Sequence, residues 1–127
     1  MFLENNVLSK ANYESFDGNN YFMMTDYASI MKMRELFEFN LLLDLGHLHV
    51  SAQTLGLNYA KECCNLSQYT KWCHISHNNG IEDQHSALIQ DCDEVLAYKN
   101  WGYCRVPTTL EVVGSVKEVV SSRNIIE

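Results

Sequence analysis

Four residues with ligand chemistry recur along the chain at similar intervals. They are Glu4, Asp44, His74 and Glu111, separated by 40, 30 and 37 residues. Three carboxylates and one imidazole make a mixed oxygen and nitrogen donor set. Such a set suits Mn²⁺, Mg²⁺, Co²⁺ or Zn²⁺ and does not by itself choose among them. Further donors stand close by in sequence. Asp44 is followed by His47 in DLGH, and Asp83 by His85 in DQH. On extended backbone, side chains two residues apart share a face, so Asp83 and His85 can clamp one ion.

Each of these residues also has an ordinary structural reading. A strand-end acid such as Glu4 or Glu111 is commonly solvated. Asp44 can cap the segment after its strand, and His47 and His49 in GHLHV read as polar alternation on a loop. Asp83 fits an N-cap in EDQHSALIQ, and His77 reads as an exposed bystander. The agreement of four positions in type and spacing is a stronger signal than any one of them.

That spacing is the length of one strand–helix unit. Compact apolar runs at 1–5, 39–46, 71–76 and 108–114 read as short buried strands. Helical patterns fill the intervals. Residues 25–38 place Tyr27, Ile30, Met33 and Phe37 on one face, with Thr25 or Asp26 as N-cap. A shorter helix falls at about 56–66. Residues 86–98 group Leu88, Ile89, Cys92 and Leu96, and residues 115–126 group Val116, Val119 and Val120. The order β-α-β-α-β-α-β-α predicts an α/β fold with a parallel sheet. In such folds the C-terminal ends of the strands form one rim where ligands bind. Glu4, Asp44, His74 and Glu111 all fall at that rim.

The 127 residues are 46% hydrophobic and 20% charged, enough for one domain with a real core. The net charge of −7, with nine Lys and Arg, is a poor footprint for nucleic acid. No apolar run reaches membrane-spanning length. MFLENN lacks a basic start and a long apolar stretch, so no signal peptide is expected. Five cysteines, irregularly spaced and without a CxxC pair, fit a reduced, cytoplasmic setting. Cys73 should point away from His74 on a strand, and Cys63, Cys64, Cys92 and Cys104 read as small apolar fillers.

The ordered series LEN, DLGH, HIS, DQH and LE resembles the xylose isomerase-like TIM-barrel superfamily, which contains sugar-phosphate isomerases and epimerases and an endonuclease IV branch. The resemblance runs from Glu4 to Glu111 and covers only the C-terminal half of an eight-stranded barrel. It implies that the chain forms barrel strands 5 to 8. In the epimerase branch it implies that Glu4, Asp44, His74 and Glu111 bind one divalent metal, that Glu4 and Glu111 are the acid–base pair, and that His47 contacts a carbohydrate substrate. The chemistry implied is proton transfer next to a carbonyl, with the metal stabilising the enediolate. In the nuclease branch Asp83 and His85 would hold a further zinc, joined by His47. Many relatives carry His-x-x-Asp on the seventh strand, where this chain has His77. The nuclease branch also draws histidines from strands that this chain lacks, and its basic groove is absent, so the isomerase branch is the expectation.

A complete (β/α)₈ barrel takes about 250 residues. Four units would leave two open edges and an uncovered interior, both liabilities. The chain is therefore expected to be a truncated frame completed by an N-terminal half-barrel, or to self-associate into a barrel-like dimer. A non-catalytic half-barrel that binds a metal or a partner is the third reading.

Overall fold

The computed structural model describes residues 1–127. Four parallel strands alternate with helices in an α/β arrangement. The strands are β1 (Phe2–Glu4), β2 (Asn40–Asp44), β3 (Thr70–Ile75) and β4 (Thr108–Leu110), and they lie side by side in chain order. Parallel neighbours need a crossover after each strand. The helices α1 (Lys10–Ser15) and α2 (Tyr27–Leu36) return the chain after β1, and α3 (Leu45–Leu55) and α4 (Tyr59–Leu66) after β2. Helix α5 (Asp93–Asn100) and a 3₁₀ turn at Tyr103–Arg105 follow β3, and α6 (Val116–Ile126) follows β4. No helix is long and apolar enough to cross a membrane.

The register sorts the strand residues onto two unlike faces. Leu43 pairs with Cys73, and Cys73 with Thr108. On that face Leu41, Leu43, Cys73 and Ile75 are fully buried and join Ile30, Leu45, Leu48, Leu66 and Val95 from the helices in one core. The alternate residues pair Glu4 with Leu42, Leu42 with Trp72, Asp44 with His74 and His74 with Thr109. Side chains of paired residues in a parallel ladder point the same way, so these occupy the opposite face. There Phe2 is 46% exposed and Trp72 36%. The two rings meet edge to face at 6.1 Å, and Trp72 Nε1 donates to Thr109 Oγ1 at 2.9 Å. An irregularity in the β2–β3 pairing leaves Lys71 without a partner. This is why Thr70 and Cys73, three apart, are both buried.

Helix termini follow local chemistry. Asp26 caps α2 in a reciprocal pair with Ser29, and Ser115 caps α6 with Glu118. Gly56 ends α3 at φ 67°, a left-handed conformation that suits glycine.

Three elements differ from the sequence pattern. The apolar run 39–46 does not stay extended. It leaves the sheet at Asp44, whose side chain starts α3, so His47 and His49 lie on a helix rather than a loop. The pattern over 86–98 begins as irregular chain, and the helix starts only at Asp93. Tertiary partners take the early backbone groups. Ser86 and His77 exchange hydrogen bonds at 3.0 and 2.9 Å, and Leu88 N–H donates to Ser122 Oγ at 2.9 Å. Leu88 is buried, but Ile89 and Leu96 are exposed, so that stripe does not form. On α6, Val116 and Val120 face outward, and Ser122, Ile125 and Ile126 turn to the core.

Candidate metal centre

Glu4 and Asp44 close β1 and β2, His74 is the penultimate residue of β3, and Glu111 directly follows β4. Glu111 N–H still donates to Ile75 O at 3.0 Å, so it keeps the strand's course. All four lie on the helix-free face, and one ligand atom from each falls within 4.8 Å of the others. The four strand-end residues of the sequence pattern therefore converge on one rim.

Two atoms in this cluster lack partners. Asp44 is fully buried. Its Oδ1 accepts from His47 N–H at 2.8 Å as the N-cap of α3, but its Oδ2 has no hydrogen bond. His74 Nδ1 lies 2.9 Å from Glu111 Oε1 and 3.3 Å from Glu4 Oε1, yet makes no hydrogen bond. Ligands around one ion at about 2.0–2.2 Å stand about 3 Å from one another. The spacing of these atoms is compatible with ligands that share a centre, and His74 Nδ1 is not aligned to donate to either carboxylate. Burial pushes the Asp44 carboxyl above its ordinary value, His47 pulls it back, and the nearby Glu4 charge adds to the rise. A buried carboxylate with an open oxygen is costly, and a cation supplies what it lacks. The donor set fits a divalent metal.

Asn5, which the spacing argument passes over, sets the geometry. It is buried at the end of β1. Its Oδ1 accepts from Asp44 N–H at 2.6 Å, and its Nδ2 donates to Asp44 O at 3.1 Å. This pair of bonds locks the β1 terminus to the ligand-bearing end of β2. Asn5 O also lies 3.1 Å from His47 Nδ1, which leaves His47 Nε2 turned toward Asp83. A polar side chain at a strand position that alternation assigns to the core is the signal that would find it. Burial pushes the His47 imidazole down, but Asp44, Asp83 and the Asn5 carbonyl outweigh it and hold the group above its ordinary value.

A second trio adjoins the first. Asp83 Oδ2 lies 3.2 Å from His47 Nε2 and 3.1 Å from His85 Nε2. His85 Nδ1 reaches Glu111 O at 3.2 Å, which ties the trio to the strand-end cluster. Asp83 caps no helix. Its arm is organised by Asn78, whose Oδ1 accepts from Gln84 N–H at 2.5 Å and His85 N–H at 3.2 Å, while its Nδ2 donates to Asp83 Oδ1 at 3.3 Å. Gly46 of DLGH gives Asn78 its room, since a Cβ there would stand 2.5 Å from Asn78 Nδ2.

His49 and His77 are neither loop nor bystander residues. Both bond the fully buried Glu94, at 2.6 Å from His49 Nδ1 to Oε1 and 3.0 Å from His77 Nδ1 to Oε2. Asn78 N–H adds a third bond to Oε1 at 3.1 Å. Burial opposes ionisation of Glu94, but the two imidazoles overcome it and lower the carboxyl to about 2. Cys73 points into the core, away from His74.

A groove of about 410 Å³ lies beside Glu4 and His47, walled by Met23, Met24 and Met33. The largest cleft, about 580 Å³, lies elsewhere between Lys10, Tyr13 and Gly80 and holds none of the four strand-end residues. The chemistry marks the smaller groove. No protein-family model, curated protein or solved structure matches the chain.

Proposed function

We propose that the chain is the metal-binding half of a (β/α)₈ barrel of the xylose isomerase-like kind, acting as a metal-dependent sugar or sugar-phosphate isomerase or epimerase. The observation that carries this reading is the convergence of Glu4, Asp44, His74 and Glu111, with Asp44 Oδ2 and His74 Nδ1 left unpartnered inside it. The sheet supports the half-barrel part. Parallel sheets are normally covered on both faces, and here Phe2, Leu42 and Trp72 stand on a face that the helical core does not cover. In a complete barrel an N-terminal half, or a second copy, would fill that space.

Asp44 and His74 are the anchoring ligands, because both are held inside the rim. Glu4 and Glu111 reach them from the two outer strands and stay partly exposed, so either carboxylate can take a proton from a bound substrate and return it. His47, fixed by Asn5 and facing the groove, is placed to bond a substrate hydroxyl. A divalent cation bound there supplies electrophilic stabilisation of charge developing on the substrate's carbonyl and hydroxyl oxygens.

The test has two stages. Metal analysis and calorimetry of the chain should find one Mn²⁺, Mg²⁺, Co²⁺ or Zn²⁺ per molecule at this cluster. The chain together with an N-terminal half should then exchange the carbon-bound proton next to the carbonyl of a ketose or ketose phosphate with solvent deuterium. Glu4→Gln and Glu111→Gln should each slow that exchange by about 10²-fold or more. Tight metal binding with no exchange across a panel of sugars would refute the isomerase reading alone.

The His47–Asp83–His85 trio favours a second reading, a zinc-dependent phosphodiesterase of the endonuclease IV kind. Two or three zinc ions lost together on removing Asp83 and His85, and cleavage of a phosphodiester, would select it. The net charge of −7 weighs against a nucleic-acid substrate. Absence of any bound metal would leave a non-catalytic half-barrel.

A further inference from the structure

A second cluster of ligand atoms lies outside the strand-end site. Its members are His77, Cys92 and Glu94, whose ligand atoms fall within 4.8 Å of one another. We propose that these three residues form a separate zinc site, a clamp that ties the loop carrying Asp83 and His85 to the start of α5.

The donor set differs in kind from the first. One thiolate, one imidazole and one carboxylate suit zinc, whereas an all-carboxylate-and-imidazole set also serves harder ions. Charge supports it as well. A Cys92 thiolate and the Glu94 carboxylate together cancel a dication, so a half-buried ion carries no net charge into the protein.

The carboxylate is already oriented as a ligand. Glu94 Oε1 is fixed by His49 Nδ1 and by Asn78 N–H, at 2.6 and 3.1 Å. Its Oε2 is left to His77. Hydrogen-bonded partners behind a ligating carboxylate are the usual support of a metal site. In the free protein Glu94 is ionised, so His77 Nδ1 donates to it. To bind, His77 carries its proton on Nε2 instead. His77 keeps 24% of its side chain exposed, which leaves a route for the ion. Cys92 stands at the N-cap position of α5, where its thiol lies beside the Val95 backbone and the Glu94 carboxylate. Burial holds the Cys92 thiol above its ordinary value, so the thiol enters the site with its proton. Binding is then Zn²⁺ plus Cys92–SH giving a Zn–S bond and one released proton.

The site stands or falls independently of the isomerase reading. Cobalt(II) titration of the full chain tests it, because a thiolate ligand gives a near-ultraviolet charge-transfer band that oxygen and nitrogen ligands do not. The band should appear in the wild type and in Asp44→Asn, and vanish in Cys92→Ser with the loss of one bound cobalt. Serine is a favoured N-cap residue, so Cys92→Ser should keep α5 folded, which circular dichroism checks. Glu94→Gln should weaken cobalt binding at this site by about tenfold or more. No charge-transfer band at saturating cobalt would overturn the proposal. So would a band that survives Cys92→Ser, since another cysteine would then be its source.

Discussion

The two faces of the sheet are built from alternate residues of the same strands and share almost nothing. On one, Leu41, Leu43, Cys73 and Ile75 are sealed among helices. On the other, Phe2, Leu42 and Trp72 are left partly open, and Glu4, Asp44, His74 and Glu111 gather at the rim. The first face answers to packing, where the free energy comes from excluding water. The second carries the candidate metal ligands, and two buried polar atoms there make no hydrogen bond. Packing and the proposed metal chemistry are thus carried by alternate residues, and substitutions on neighbouring positions should behave differently.

The largest effect belongs to the packed face. Leu43→Ala leaves a cavity in a fully buried position and should cost about 2–5 kcal/mol in urea unfolding. Leu42→Ala, one residue away on the open face, should cost less, about 1–2 kcal/mol, because that side chain is only partly buried. Equal losses at the two positions would mean that the open face is covered in solution, and size-exclusion chromatography would then show a dimer.

A pH effect of intermediate size lies behind the packed face, where Glu94 meets His49 and His77. The depressed Glu94 carboxyl contributes stability that is complete above its ordinary value of 4.5 and is lost as pH falls toward about 2. The contribution is on the order of 3 kcal/mol. His49 behaves in the opposite sense. Burial lowers its imidazole, but Glu94 and Asp93 hold it above 6.5. Its contribution is therefore full below 6.5 and fades as pH rises through the raised value. Unfolding free energy measured in chelator should peak between 4.5 and 6.5, and Glu94→Gln should flatten that peak. A profile unchanged by Glu94→Gln would show that the triad is not coupled in solution.

The smallest effect tests the open face directly. Trp72→Ser removes the contact with Phe2 and the bond to Thr109. In the isolated chain it should change stability by no more than about 1 kcal/mol. It should also reduce any association with an N-terminal half-barrel, as gel filtration of a mixture would show.

Much of this division was legible in the sequence. The four strands, their parallel order and the rim position of Glu4, Asp44, His74 and Glu111 follow from short apolar runs spaced by one strand–helix unit. The caps at Asp26 and Ser115 follow from local chemistry that needs no tertiary partner. The rest depended on distant contacts. FNLLLDLG is apolar enough to read as one extended run, and α3 begins inside it at Leu45, where Val50 and Ala52 of the following helix pack into the buried interior. The start of the 86–98 pattern loses its backbone groups to His77 and Ser122, which no local pattern shows. Asn5 and Asn78 act through bonds to residues remote in the chain or across a turn, so their roles appear only once the elements are assembled.

The central claim is that Asp44 Oδ2 is open because it belongs to a metal. Asp44→Asn tests this most directly. The amide oxygen can keep the cap to His47, so the fold is retained, while the anionic ligand is lost. Calorimetric titration with Mn²⁺, a hard ion that the thiolate-bearing His77–Cys92–Glu94 cluster does not favour, should show tight binding in the wild type, at the Glu4–Asp44–His74–Glu111 cluster, that falls by about 100-fold or more in the variant. Equal affinity in the two proteins, or no tight binding in either, would contradict the account.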